Sequence, residues 1–213
     1  YPEDLEESRE KTERIIPVME LFNHLFIDYP FSREKYGHAQ FSWGTGAMEH
    51  QTMSFMSGFG RSLMAHELAH QWFGDYITCG SWQDIWLNEG FAVYCEGIVR
   101  ENLSSQKSWD NWREYLIEYV TQKDDGSVYV YDTTSVERIF NYRLTYLKAG
   151  FVLHMLRQAI GSEDFFQGIK YYLQDTALIN GYARTKDLQK HFEMVSGTNL
   201  DEFFNDWVYG EGF

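Results

Sequence analysis

The chain is poor in basic residues and has no long apolar run. Of its 213 residues, 18 are lysine or arginine and 32 are aspartate or glutamate, which gives a formal net charge of -14. Because no basic stripe interrupts this acidity, a nucleic-acid partner is not expected. No segment approaches the roughly 20 consecutive apolar residues that a membrane-spanning helix needs, so no membrane span is predicted.

Cysteine is also scarce, with only Cys79 and Cys95 in the sequence. The two could form a disulfide, but two unpaired thiols fit the sequence equally well, so the redox compartment stays open. The chain starts at Tyr1 without an initiator methionine or a signal-like segment. We therefore expect Tyr1 to be an internal boundary of a longer protein, and the missing leader indicates nothing about location.

Hydrophobic residues make up 44% of the sequence, enough to bury a sizeable core, and we expect one domain over residues 1–213. Short strands are predicted at 35–43 and 51–56, and an extended segment at 128–131. The apolar periodicity predicts helices near 105–122, 144–160, 162–175, 184–196 and 199–209. The pattern indicates an α+β fold with a small β lobe, a mainly helical lobe and a cleft between them.

The most informative motif is the pentapeptide His66-Glu67-Leu68-Ala69-His70. On a helix, residues four apart share one face, so both imidazoles can reach a single ion while Glu67 lies beside it. This is the H-E-x-x-H pattern of zinc hydrolases, whose glutamate deprotonates the attacking water. The alternative is a surface helix that carries two solvated histidines.

A second helix, predicted to be capped by Ser81, carries Glu89. A helical hairpin of this length can bring Glu89 to the open side of His66 and His70. Three protein ligands would then leave a fourth position for water, as a catalytic zinc requires. The alternative is that Glu89 is unrelated to the histidines. The residues expected to pack against the first helix are Ile85, Trp86 and Ala92.

Several motifs together resemble the gluzincin zinc aminopeptidases, the family of aminopeptidase N. The segment Gly46-Ala47-Met48-Glu49 is similar to the G-[AG]-M-E-N segment of that family, with His50 in place of the asparagine. The likeness continues through residues 70–74 and 86–92 and through the aromatic and glycine residues at 203–212. The resemblance implies a thermolysin-like catalytic domain whose N-terminal β-sheet is truncated.

The resemblance also implies catalytic roles in a site that holds one Zn2+ per chain. Glu67 would be the general base that moves a proton from water to the departing amine. Tyr146, in Tyr-Leu-Lys-Ala-Gly where the family has Tyr-x-Lys-Gly, would donate a hydrogen bond to the oxyanion. Tyr142 would be structural. Asp75 and Asn88 could orient a metal ligand, but a cap or turn role is preferred.

Substrate binding is implied for the segment that begins with Gly46. In the family the glutamate at the position of Glu49 binds the free α-ammonium of the substrate, which makes the enzyme an exopeptidase. Gly46 and Ala47 would offer edge-strand backbone groups to the peptide, and Met48 completes the substrate-binding segment. Without the resemblance, Glu49 would be read as an exposed loop carboxylate.

The sequence therefore predicts a zinc-dependent aminopeptidase that acts on peptides with a free N-terminus. The alternatives are a gluzincin with endopeptidase or epoxide hydrolase activity, and a catalytically inactive zinc-binding scaffold. The chain is expected to be a catalytic fragment that binds zinc, with reduced or no turnover without the remaining domains of its parent protein. Secretion or a periplasmic location is slightly favoured over the cytoplasm, because similar short architectures are often exported.

Overall fold

Helices make up most of the computed structural model, which describes residues 1–42 and 44–213. The α-helices in this part of the chain are α1 (Leu5–Thr12), α2 (Ile16–Leu25), α3 (Arg61–Ala69), α4 (Trp86–Leu103), α5 (Gln106–Val120), α6 (Val136–Ile139), α7 (Ala149–Ile160), α8 (Ser162–Gln174), α9 (Thr185–Ser196) and α10 (Asp201–Phe204). Short 3-10 turns occur at Pro2–Asp4, Glu13–Ile15 and Trp82–Asp84, and π-helical segments at Tyr142–Lys148 and Asn205–Tyr209.

Two small sheets accompany the helices. The first has the strand order β1-β3-β2, with β1 parallel and β2 antiparallel to β3. The second pairs β4 with β5 in parallel. The strands are β1 (Gly37–Gln40), β2 (Ala47–Met48), β3 (Met53–Met56), β4 (Ile77–Cys79) and β5 (Gly181–Ala183). The predicted α+β class, with a small sheet before a helical lobe, is confirmed.

The first sheet differs in detail from its sequence pattern. The strand expected at 35–43 is observed as β1, and its last residue, Trp43, lies outside the described residues. The strand expected at 51–56 begins two residues later, because Thr52 adopts a positive φ of 63° that a strand does not accommodate. β2 was not predicted from periodicity, since a strand of two residues shows no alternation, although the family resemblance implied an edge strand at Gly46 and Ala47.

The backbone differs from the sequence analysis in two further places. Residues 128–131 form no strand, and the backbone carbonyl of Tyr129 instead accepts hydrogen bonds from the Ser127 hydroxyl and the Arg138 guanidinium. The β4–β5 sheet was missed because three-residue strands far apart in sequence carry no local periodicity.

Helix α4 is the centre of the helical lobe. It contacts α3, α5 and α7, and all but a few of its residues are buried. A helix that is buried over most of its surface belongs in the interior of a domain. The parallel stack of Phe73 on Phe91, with ring centroids 4.1 Å apart, fixes the region just after α3 against the first turns of α4. This packing brings the two histidines of α3 toward Glu89.

The entry into α4 differs from the expected capped helix. Ser81 begins the 3-10 turn, and its hydroxyl donates to the Asp84 carboxylate at 2.9 Å and caps no backbone amide. Trp86 and Ala92 lie in the main core. Ile85 does not, because it packs in a separate cluster with Val130 and Ile139.

The two cysteines are both free. Cys79 is half-buried in β4 and Cys95 is fully buried in α4, so the disulfide considered from the sequence is not formed. Among the described residues, no helix combines the length and the apolar character needed to cross a bilayer.

Gly97 is where α4 meets the indole ring of Trp112 on α5. A Cβ at position 97 would lie 2.4 Å from the nearest ring carbon of Trp112. Overpacking against a rigid ring outweighs the helix propensity that alanine gains, so Gly97→Ala is expected to lower the free energy of unfolding by about 1–2 kcal/mol. Urea denaturation measures this change in the free energy of unfolding. Gly58→Ala, where a Cβ meets nothing within 4 Å, is the control, and equal midpoints for both variants would contradict this packing.

Candidate active site

A cleft with a volume of about 880 Å3 lies between the loop at 46–49 and the helical lobe. The groups that line it include four carboxylates and two imidazoles, namely Glu49, Glu67, Glu89, Glu96, His66 and His70. Among the described residues that line the cleft, none is lysine or arginine. The cleft is therefore acidic and suited to bind cations.

His66 and His70 lie on one face at the end of α3, and Glu89 reaches them from the first turn of α4. The Nε2 atom of each histidine is 3.5 Å from Oε2 of Glu89. One ligand atom from each of the three residues lies within 4.8 Å of the others. The structure thus brings together the three residues that the sequence predicted as metal ligands.

The turn after α3 sets the orientation of His70. Helix α3 ends at Ala69, and Nδ1 of His70 lies 3.1 Å from the carbonyl of Phe73. Since a carbonyl only accepts, Nδ1–H donates, which leaves Nε2 to face Glu89. Gly74 permits this turn with a φ of 148°, and a Cβ there would lie 3.2 Å from the His70 carbonyl.

His66 is oriented by Glu96, a residue to which the sequence analysis gave no role. Nδ1 of His66 lies 3.1 Å from Oε1 of Glu96. Metal-bound histidines commonly donate their other ring N–H to a carboxylate, which fixes the tautomer. A signal was present in the sequence, because Glu96 follows Glu89 by seven residues and so lies on the same face of α4, two turns further along.

The ionisable side chains of this site strongly shift one another's pKa values. Burial would lower the pKa of His66, but the carboxylates of Glu89 and Glu96 raise it to about 10. Burial would likewise lower the pKa of His70, which Glu89 raises to about 9. Burial would raise the pKa of Glu89, but the two histidines lower it to about 2. The carboxylates that favour a proton on the imidazoles equally favour a metal cation between them.

The donor set fits a divalent metal ion with nitrogen and oxygen ligands. In tetrahedral coordination, metal–ligand bonds of about 2.0–2.1 Å place neighbouring ligand atoms about 3.4 Å apart. The separations between Oε2 of Glu89 and the Nε2 atoms of His66 and His70 are close to this value, at 3.5 Å each. Oε2 of Glu67 is buried and has no hydrogen-bond partner among the described residues. Burial also raises the pKa of Glu67 to about 7, in the range useful for proton transfer.

Tyr146 lies in the π-helical segment before α7. Its ring is nearly parallel to that of His66, with centroids 6.3 Å apart. Burial, followed by the charges of Glu89 and Glu49, raises the pKa of Tyr146, so its hydroxyl remains a hydrogen-bond donor. Tyr142 is more exposed, lines the cleft and lies 3.3 Å from the hydroxyl of Tyr115. Its predicted structural role is not tested by this contact.

The segment from Gly46 to Glu49 forms the opposite wall of the cleft. Oxygens of Glu49 and Glu67 and a ring nitrogen of His70 lie within 4.8 Å of one another. Ala47 and Met48 form β2, which pairs only with β3 among the described strands. His50, in the position of the family asparagine, is exposed and packs edge-on against Phe55.

Asp75 and Asn88 contact no metal-ligand side chain in the described hydrogen-bond network. Oδ1 of Asn88 accepts from the backbone N–H of Cys79 at 3.2 Å and so joins β4 to α4. Asp75 accepts from the side-chain amide of Gln71 at 2.7 Å. Gln71, like Glu96, was not assigned a role from the sequence.

Comparison with known proteins identifies the family. The model of the peptidase family M1 domain matches residues 60–207, which carry the two histidines, Glu67, Glu89 and Tyr146. The chain belongs to peptidase family M1. The relationship predicted from the motifs is therefore confirmed.

Individual relatives are similar to this M1 chain over part of their length. A probable aminopeptidase 2 from Sulfurisphaera tokodaii is 32% identical over 161 residues, which cover 71% of this chain and 20% of the relative. A leucyl aminopeptidase from Saccharolobus solfataricus is 31% identical over 160 residues, with the same coverage of 71% and 20%. The chain thus spans about a fifth of the length of these curated relatives.

A solved structure from Deinococcus radiodurans supports the same relationship. It is a variant of an M1 zinc metallopeptidase bound to a Tyr-Ser-Ala substrate, and it is 25% identical to this chain. The superposition has a TM-score of 0.79 and covers 92% of this chain and 44% of the other. The M1 chain therefore has the fold expected from its motifs.

The three-ligand site leads to a prediction about metal stoichiometry. Elemental analysis of the purified chain should find one divalent ion per molecule. His70→Ala should abolish metal binding, because the two remaining ligands do not retain the ion. His24→Ala, at an exposed histidine of α2, should keep the full stoichiometry. Equal metal content in the His70 and His24 variants would contradict the assignment of the ligands.

The Glu96–His66 contact leads to a second prediction. Glu96→Gln keeps the size of the side chain but removes the charge that orients the imidazole, so metal affinity should fall about 10–100-fold. Competition with a chelator of known affinity measures the change. Glu118→Gln, on the exposed face of α5, is the control, and an unchanged affinity in the Glu96 variant would contradict the orienting role.

Proposed function

We propose that this chain is the catalytic part of a zinc-dependent aminopeptidase, which releases the N-terminal residue of a peptide. The observation that carries the proposal is the proximity of the Glu49 carboxylate to Glu67 and His70, within 4.8 Å. A carboxylate at this distance from the base and a metal ligand can hold the free ammonium group of a substrate one residue from the bond that is cut. Zinc would be held by His66, His70 and Glu89.

The bound zinc would supply Lewis-acid chemistry, by polarising the scissile carbonyl and increasing the acidity of water. Glu67 would accept a proton from the attacking water through its unpartnered Oε2, and would then donate that proton to the departing amine. Tyr146 would donate a hydrogen bond to the developing oxyanion. Its raised pKa keeps the phenolic proton available for this purpose.

The peptide would enter along the edge of β2 with which no described strand pairs. The carbonyl of Gly46 already accepts from the backbone N–H of Ser57 at 3.1 Å, so Gly46 would offer only its N–H, and Ala47 its backbone groups, to the substrate as an added strand. Met48 lines the same wall of the cleft. The ammonium end would stop at Glu49, because a desolvated carboxylate binds a cation far better than a blocked amine. The acidity of the whole cleft favours this cationic end.

The alternatives receive less support from the site. An endopeptidase or an epoxide hydrolase would leave Glu49 without a cationic partner. A catalytically inactive scaffold does not require Glu67, whose buried carboxylate lies beside the proposed metal ligands with one oxygen that has no hydrogen-bond partner among the described residues. We further propose that the chain is a catalytic fragment, since it spans only about a fifth of its curated relatives.

The experiment that tests the proposed function compares a free-amine substrate with its N-acetylated form. Any hydrolysis by this chain, at the reduced rate expected of a fragment, should act on leucyl anilide and refuse N-acetyl-leucyl anilide, because the acetyl group removes the charge that Glu49 would bind. Liberated aniline is measured by absorbance. Equal hydrolysis of both substrates would contradict aminopeptidase specificity. Full turnover by the 213-residue chain itself would contradict the expectation that it has reduced or no activity without the remaining domains of its parent protein.

The proposed catalytic roles predict different effects for two conservative variants. Glu67→Gln removes the base and should lower kcat about 10²–10⁴-fold, and Tyr146→Phe removes the oxyanion donor and should lower kcat about 10²–10³-fold. Both should retain the metal, since neither residue is a ligand. Tyr171→Phe, at an exposed tyrosine of α8, is the control. Wild-type kcat in either active-site variant would refute its assigned role.

A further inference from the structure

Gln71 follows the proposed metal ligand His70 directly and is completely buried, with 0% exposure. Its amide makes four hydrogen bonds. Oε1 accepts from the backbone N–H of Thr52 at 2.8 Å and from the hydroxyl of Tyr29 at 3.3 Å. Nε2 donates to the Asp75 carboxylate at 2.7 Å and to the backbone carbonyl of Glu49 at 3.2 Å. All the hydrogen-bonding capacity of the amide is therefore used.

Two of these four bonds hold the turn that carries Glu49. The turn is closed by the backbone N–H of Met53, which donates to the carbonyl of His50 at 2.9 Å. Thr52 within it has a φ of 63°, an uncommon conformation for a β-branched residue. A strained backbone of this kind persists only when its surroundings hold it in place. Gln71 bonds to the turn on both sides, at Glu49 and at Thr52.

The remaining bonds fix the amide itself. The carboxylate of Asp75 requires a donor, so the Nε2 end of Gln71 must face it, and the Oε1 end must then face the Thr52 N–H. The side chain thus has one favourable orientation. Because Gln71 is adjacent to His70, it connects the turn around Glu49 directly to the chain segment that carries the metal ligands.

We propose that Gln71 is a positioning residue, which sets the place of the Glu49 carboxylate relative to His70 and Glu67. This inference rests on the proposed role of Glu49 in binding the substrate ammonium. Loss of the Gln71 amide frees the turn, and the Glu49 carboxylate then no longer keeps its position relative to His70 and Glu67. Selectivity for a free amine is lost, while metal binding is kept.

The test is a binding measurement that needs no turnover. Calorimetry on the zinc-loaded chain compares L-leucinamide with N-acetyl-L-leucinamide. Wild type should prefer the free amine, and Gln71→Met, which has a similar shape but no hydrogen bonds, should reduce that preference about tenfold or more. Zinc stoichiometry should remain one per chain. In a Glu49→Ala background the Gln71 substitution should have no further effect on the preference, because the carboxylate that it positions is absent.

Gln189→Met is the matched control. Gln189 is also buried, at 2% exposure, and lies on α9. Its amide forms hydrogen bonds with the side chains of Glu193, Asp201 and Lys186. Its loss should lower stability without changing the preference for a free amine. If Gln71→Met does not fold, Gln71→Glu keeps the acceptor oxygen and removes both donors, and the same loss of preference is expected from it.

The outcomes separate this inference from the proposed function. A wild-type chain that shows no preference for the free amine would overturn the role of Glu49 itself. A selective wild type with an equally selective Gln71 variant would overturn the positioning role alone. A loss of preference that is equally large in the Glu49→Ala background would likewise overturn it, because Gln71 would then act on something other than Glu49.

Discussion

The structure depends on one buried contact, in which Oε2 of Glu89 lies 3.5 Å from Nε2 of both His66 and His70. A buried carboxylate beside two imidazoles is stabilised when they share positive charge, from a proton or a metal cation. The packing of α3 on α4, with Phe73 stacked on Phe91, supplies the rigidity that keeps these groups in place. The chemistry proposed for the cleft follows from this arrangement.

Around that contact, further polar partners fix the two histidines and the turn that carries Glu49. The Phe73 carbonyl orients His70, and the Glu96 carboxylate orients His66. Gln71 bonds to both sides of the turn that carries Glu49. The two walls of the cleft are thus connected through residues adjacent to the metal ligands, so the site does not rely on long loops for its geometry. Preorganisation of this kind is what catalysis requires, because a displacement of about 1 Å costs activity.

The sequence was sufficient to predict the parts that rest on local geometry. Spacing on a helix places His66 and His70 on one face, and the family motif points to Glu89 and Tyr146. The supporting residues were harder to predict, because Gln71 acts through contacts with Thr52 and Glu49 that arise only on folding. The β4–β5 pairing was missed for the same reason, since it joins short segments about a hundred residues apart.

The most direct test of this account is an anomalous-diffraction map from crystals of the zinc-loaded chain, collected on both sides of the zinc absorption edge. The account predicts a single strong peak bonded to Nε2 of His66, Nε2 of His70 and a carboxylate oxygen of Glu89, at about 2.0–2.2 Å from each. A zinc peak elsewhere, or a Glu89 side chain directed away from the two imidazoles, would contradict it.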